Sequence, residues 1–144
     1  MSICCRAISL ALLILVNCFV SGIKGDDGRI FDCALVECGD PSYIRINQDR
    51  SIEGKEVYVE IANFCPVPII DLRVDCGSFI KSRVPLVPPN ILKPVGGNQC
   101  VINNGNPIVN KNTTLDQDTF PFVYSSKKFL PLIVTSFKCF RPST

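Results

Sequence analysis

Glu56-Val57-Tyr58-Val59-Glu60-Ile61-Ala62-Asn63 is the stretch on which the fold turns. Val57, Val59 and Ile61 fall on one side and Glu56, Tyr58 and Glu60 on the other, the two-residue period of a strand with one face buried. The same period recurs on both flanks. Upstream, Ser42 to Gln48 alternates Ile44 and Ile46 with Tyr43, Arg45 and Asn47, and Asp49 to Lys55 between the two strands carries turn residues. Downstream, Ile70 to Cys76 sets Ile70, Leu72 and Val74 against Asp71, Arg73 and Asp75. Extending these periods brings Cys65 into phase with Val57, Val59 and Ile61, and Cys76 into phase with Ile70, Leu72 and Val74, so both thiols are expected to point inward.

Further along, Arg83 to Pro94 contains Pro85, Pro88, Pro89 and Pro94, whose missing N–H donors confine it to an edge strand or a long connection. Gln99 to Asn103 reads as a short strand, and Asn103-Asn104-Gly105-Asn106 supplies the positive-φ residues of a hairpin reversal. Phe120 to Tyr124 and Leu132 to Cys139 read as two more strands, with Lys127-Lys128 at a solvated hairpin tip between them and a processing site as the alternative. No long amphipathic helix is written into the chain. The expected fold is all-β, a small disulfide-bonded antiparallel β-sandwich, with a partly closed β-barrel as the alternative.

The N-terminus carries a different signal. Arg6 followed by the apolar run Ala7 to Val16 and the small residues Ser21 and Gly22 reads as a secretory signal peptide over residues 1–22, cleaved after Gly22 or as late as Gly25. The apolar run breaks at Asn17, short of the roughly 20 residues that cross a bilayer, and Ser136 to Thr144 has no apolar anchor tail. Residues 23–37 read as a flexible lead-in, with a tether through Cys33 or Cys38 as the alternative once either finds a partner, and 38–144 as a single cysteine-rich β domain. The expected destination is extracellular, the apoplast in a plant, with no membrane insertion once the signal is removed.

Cysteine usage fits that compartment. Of the nine cysteines, Cys4, Cys5 and Cys18 leave with the leader, and Cys33, Cys38, Cys65, Cys76, Cys100 and Cys139 remain as an even set. In a short exported chain this predicts three disulfides, with the pairing left open by sequence. A domain of this size buries only about two thirds of its unfolded surface, so cross-links are a substantial part of its stability. No Cys-x-x-Cys pair and no histidine exist to build a zinc site, and no cofactor is implied.

The lack of histidine also removes the commonest general base and the partner of Ser and Cys nucleophiles. Asp71/Asp75 and Glu56/Glu60 lie on the outer, solvated phase of their strands, whereas acid/base work needs an enclosed pair. Asp116-Gln117-Asp118 has the D-x-D spacing of metal-dependent glycosyltransferases, but this chain cannot build their larger α/β scaffold, and a turn before Phe120 accounts for it. Enzymatic activity is therefore not expected. The net charge of +2 falls towards neutrality once Arg6 is lost, which excludes a strongly cationic nucleic-acid surface. Asn112-Thr113-Thr114 is an N-glycosylation acceptor in an exposed setting. Lys81, Arg83 and Lys93 around the Pro-rich segment read as loop solvation, with contact to an acidic partner as the alternative.

From Cys38 to Cys139 the chain resembles the plant Tapetum Determinant family of small secreted cysteine-rich proteins. The resemblance is carried by Cys38 with Ile44-Arg45-Ile46-Asn47-Gln48, by Val57-Tyr58-Val59-Glu60-Ile61 leading through Asn63 to Cys65, and by Asp71-Leu72 with Cys76-Gly77. Val87-Pro88, Cys100-Val101-Ile102-Asn103-Asn104-Gly105 before Pro107, Tyr124 and Cys139 complete it, and the Cys100 stretch is its most specific piece. The family usually has a further cysteine shortly after the position of Cys65, where this chain has Pro66-Val67-Pro68-Ile69, while Cys33 has no obvious counterpart. The resemblance implies an extracellular signalling ligand, perceived by a leucine-rich-repeat receptor kinase in cell-fate or anther development, whose receptor-binding residues are unknown. The alternative class is a cell-wall or carbohydrate-binding module; the absence of Trp weighs against sugar stacking.

Overall fold

A computed structural model describes residues 28–82, 86–111 and 119–143. Eight strands follow one another in it: β1 (Arg29–Phe31), β2 (Ile44–Arg50), β3 (Glu56–Asn63), β4 (Ile69–Asp75), β5 (Leu92–Gly96), β6 (Gln99–Ile102), β7 (Thr119–Ser125) and β8 (Ile133–Arg141). One helical turn, α1 (Gly77–Ile80), and three short 3-10 turns are the other regular elements. The strands form a five-stranded sheet in the order β1-β8-β4-β6-β5 and a three-stranded sheet in the order β2-β3-β7. Every strand pairing is antiparallel, and neither sheet closes on itself. The fold is thus the small all-β, disulfide-bonded class expected, without the barrel.

Alternation in β3 decides which face of the small sheet is inside. Val57, Val59 and Ile61 are buried while Glu56, Tyr58 and Glu60 are exposed. Phe122 and Tyr124 of β7 continue that inner face and pack with Leu72 and Val74 of β4, Cys100 and Ile102 of β6 and Phe79 of α1 in one apolar cluster. Tyr124 meets the Phe79 ring edge-on at 4.9 Å between centroids. Asn63, next in phase after Ile61, is the one buried polar side chain among the described residues. Its amide donates to the carbonyls of Val67 (3.0 Å) and Ile108 (3.1 Å), and its oxygen accepts from the Cys65 N–H at 2.8 Å. Burial without loss of hydrogen bonding is what makes a polar group tolerable there.

Four local readings are corrected. In β4, Ile69 rather than Ile70 is fully buried, together with Leu72, Val74 and Cys76. Asp71 adopts φ 52°, and the register with β8 slips between Ile70 and Arg73, so a bulge resets the phase that simple alternation extrapolates. The reversal at Asn103–Gly105 does not make a hairpin: the chain leaves β6 through a 3-10 turn and bridges Ile108 to Ile69. The hairpin lies one turn earlier, between β5 and β6, where Gly96 (φ 123°) and Gly97 (φ 55°) turn the chain so that Gly96 faces Gln99. Lys127 and Lys128 do not tip a hairpin either, because β7 pairs with β3 in the small sheet and β8 with β4 and β1 in the large one. Their segment is a crossover between sheets.

The fourth concerns residues 23–37, whose described part, 28–37, takes the tethered alternative rather than the flexible one. That part is tied down: β1 pairs Ile30 with Phe140 and Phe31 with Cys139, and Asp32 accepts from the Ala34 N–H at 2.9 Å to cap the 3-10 turn Cys33–Val36. Edge pairing plus a covalent link at Cys33 outweighs the polar composition that suggested freedom. The proline-rich segment behaves as its missing donors require, since β5, with Pro94 in it, sits at the outer edge of the large sheet.

Candidate interaction surface

The cysteines come first, because they fix what can move. Cys33 is joined to Cys139, Cys38 to Cys65 and Cys76 to Cys100, with Cα separations of 5.0, 5.6 and 5.8 Å. All six are buried. The first bond ties the N-terminal edge of the large sheet to its last strand. The second holds the 3-10 segments preceding β2 to the end of β3, and the third joins the end of β4 to β6. Each sheet and the segment leading into it is therefore held by at least one bond, and any recognition surface is presented on a rigid support.

The carboxylates weighed for chemistry are dispersed or engaged. Asp71 pairs with Arg73 at 3.3 Å and with Lys138 at 3.9 Å, while Asp75 accepts from the Gly77 N–H at 3.0 Å. Glu60 accepts from Thr119 Oγ1 at 3.0 Å. Asn112, Asp116, Asp118 and Arg83 lie outside the described residues. Lys81 and Lys93 are exposed at separate places, on the end of α1 and on β5. Among the described residues no group of three or more His, Cys, Asp or Glu side chains is arranged to hold a metal ion. Nor is any helix among them long and apolar enough to cross a membrane.

The most patterned surface is the outer face of the three-stranded sheet. Register places Asn47, Glu60 and Pro121 on one rung, Asp49, Tyr58 and Val123 on the next, and Glu56 beside Ser125 on the third. Tyr58 and Val123, 50% and 40% exposed, form a small apolar centre with carboxylates on either side. On the rung at the opposite end of that ladder, next to Asn47 and Glu60, Arg45 stands across from Ala62, and its guanidinium lies 4.8 Å from the centre of the Phe64 ring. Lys111 reaches the same ring at 5.3 Å. The face is thus cationic at one end and acidic towards the other.

Behind this face a polar lock holds the crossover. Tyr124 Oη donates to Gln48 Oε1 at 2.7 Å and accepts from the Leu130 N–H at 2.8 Å, and Gln48 Nε2 donates to the Leu130 carbonyl at 2.9 Å. Burial raises the Tyr124 pKa above its ordinary value, partly offset by the Leu130 N–H and by the charge of Arg50. Arg50 itself donates to the Lys127 carbonyl at 2.9 Å and lies 4.9 Å from the Phe129 ring centre. The dibasic pair is therefore on a segment pinned at both Lys127 and Leu130. Neither this lock nor the Arg45–Phe64–Lys111 cluster has a local sequence signal, since each joins residues far apart in the chain.

A sequence model described as Tapetum determinant 1, C-terminal, matches residues 40–140. An uncharacterized protein of Arabidopsis thaliana is 35% identical over 99 residues, covering 67% of this chain and 72% of that protein. No solved structure matches the chain.

Proposed function

The chain belongs to the Tapetum determinant 1 family, a family of plant signalling proteins, and from that premise we propose that it is a secreted ligand bound by the ectodomain of a leucine-rich-repeat receptor kinase. The observation carrying this reading is the family match, which runs from before β2 into β8 and takes in four of the six bonded cysteines, Cys65, Cys76, Cys100 and Cys139. Three features support it. The leader over residues 1–22 and the even cysteine set suit an exported protein. The bonds Cys33–Cys139, Cys38–Cys65 and Cys76–Cys100 suit a rigid ligand that loses little conformational freedom on binding. The alternating charge and apolar centre of the outer β2-β3-β7 face suit a non-obligate protein contact better than a catalytic cleft. Direction of cell fate in the anther and glycosylation at Asn112 belong to the same proposal.

A cell-wall module is the competing class. It has less support, because Trp is absent and Arg45 and Lys111 already lie against the Phe64 ring. The test is direct binding of the oxidised, secreted protein to a panel of plant leucine-rich-repeat ectodomains, measured by interferometry beside a plant-glycan array. Saturable binding to an ectodomain is expected. A flat response across the panel, or specific binding to glycans only, overturns the reading.

A further inference from the structure

Phe64 follows β3 directly, and its ring lies within cation–π distance of two positive side chains, Arg45 from β2 and Lys111 from the segment after Ile108. Like charges gathered on one ring repel, so such a pair is normally relieved by a carboxylate. Three other cations have that relief, Arg73 and Lys138 at Asp71 and Lys55 at Glu53, while Arg50 and Arg141 each lie on a ring that holds no second cation among the described residues. Arg45 and Lys111 pair with no carboxylate among the described residues; Glu60, on the adjacent rung, keeps its charge but accepts from Thr119 and forms no ion pair with either cation.

The backbone beneath them is fixed on both sides. Phe64 donates its N–H to the Tyr43 carbonyl at 2.8 Å, Lys111 donates its own to the Asn63 carbonyl at 2.8 Å, and Asn63 bridges Asn110. Cys65, the next residue, is bonded to Cys38. Stacking of a guanidinium on a ring leaves the N–H groups along its edge available, in the fork that grips a carboxylate through two parallel hydrogen bonds. Among the described residues the cluster is thus prearranged, exposed and without a paired carboxylate.

We infer that Arg45 and Lys111, braced on Phe64, form a seat for a side-chain carboxylate of an acidic protein partner; this deepens the receptor-ligand reading and rests on its claim that the partner is a protein. A protein carboxylate is favoured over an acidic wall polysaccharide by the pattern of the face. A polyuronate would require a row of cations along its repeat, whereas the rungs following Arg45 present Asn47 with Glu60 and then Asp49. The same order gives the contact a direction. A partner seated here meets positive charge at Arg45 and Lys111, the apolar Tyr58 and Val123 farther on, and negative charge at Asp49 and Glu56.

The seat is tested without any receptor, using isotope-labelled, oxidised protein titrated with an oligoglutamate peptide and, separately, with polygalacturonate and an oligolysine peptide. Oligoglutamate is expected to shift the Phe64 and Lys111 amide signals and the Arg45 Nε–H first, and oligolysine to leave them unmoved. The double variant Arg45→Gln/Lys111→Gln should bind oligoglutamate about tenfold more weakly, the scale of losing charge-assisted hydrogen bonds. Both substitutions are exposed, and an unchanged thermal midpoint establishes that the variant is folded. Shifts spread evenly over the surface, unchanged affinity in the double variant, or tighter binding of polygalacturonate at the same amides would each overturn the seat. The two proposals fail separately: an ectodomain that binds wild type and double variant alike refutes the seat alone, and focused oligoglutamate binding with no ectodomain bound refutes the receptor reading alone.

Discussion

Replacing Tyr124 by Phe removes one oxygen from the interior and leaves the ring in place. In the native structure that oxygen donates to Gln48 and accepts from the Leu130 N–H, so the variant strands one acceptor and one donor in a partly buried setting. An unsatisfied buried group costs about 1–3 kcal/mol, and both partners sit towards the lower end because each is only half buried, giving about 2–3 kcal/mol in total. The edge-on contact with Phe79 persists, so no cavity is added to that figure. Urea denaturation of the oxidised protein should show a lower midpoint with an unchanged slope, and the thermal midpoint should fall by about 8–12 °C, at about 4 °C per kcal/mol for a domain of this size. A double-mutant cycle with Gln48→Ala should return a coupling of about 0.5–3 kcal/mol. The pH dependence supplies a second readout. Burial raises the folded-state pKa of Tyr124 above 10.0, so its proton is held more tightly in the folded state. The stability this contributes is complete below pH 10.0 and is lost as pH rises through the raised folded value. Tyr124→Phe should abolish that alkaline loss. A destabilisation below about 0.5 kcal/mol, the level of an ordinary surface change, would refute the lock between the small sheet and the crossover.

Loop length ranks the disulfides. With separations of 106, 27 and 24 residues, chain-entropy losses are about 4.8 kcal/mol for Cys33–Cys139 and about 3.5 kcal/mol for each of the other two, so paired Cys→Ser variants should lose stability in that order in calorimetry. Equal losses would show that the long loop is already restricted in the unfolded chain. Asn63→Leu leaves two carbonyls and the Cys65 N–H without their partner in a fully buried position and should destabilise by about 3 kcal/mol or more, read as lost expression of soluble, oxidised protein or as a lowered urea midpoint. Gly97→Val places a β-branched residue at φ 55° with open space around it, so the loss, about 1–2 kcal/mol, comes from backbone strain alone; a neutral result would contradict the β5-β6 turn geometry.

The parts of the fold legible in the sequence are those set by local period. β3 follows from the alternation of Val57, Val59 and Ile61, and β2, β6 and β7 fall close to their expected places. Period says which face a side chain takes and nothing about which sheet its strand joins, so β7 and β8 looked like two arms of a hairpin while belonging to different sheets. It also assumes an unbroken ladder, which the bulge at Asp71 interrupts. Turn chemistry was present at both Asn103-Asn104-Gly105 and Gly96-Gly97; only long-range pairing of β5 with β6 decides that the second carries the hairpin. Cysteine phase placed Cys65 and Cys76 inside without naming their partners. The cationic cluster was least legible of all, since Arg45, Phe64 and Lys111 meet only after β2 pairs with β3 and Asn110 bridges Asn63.

The bond between Cys33 and Cys139 turns nearly the whole domain into a covalent ring. A ring cut once becomes a line and stays one molecule. A protease that nicks a surface loop, whether at Lys127-Lys128 or in the proline-rich segment before β5, therefore frees no fragment, and the nicked ends remain tethered where they can re-engage their strands. In the extracellular setting proposed above, where neither chaperone nor resynthesis is at hand, such a topology would let the protein outlast its first wound.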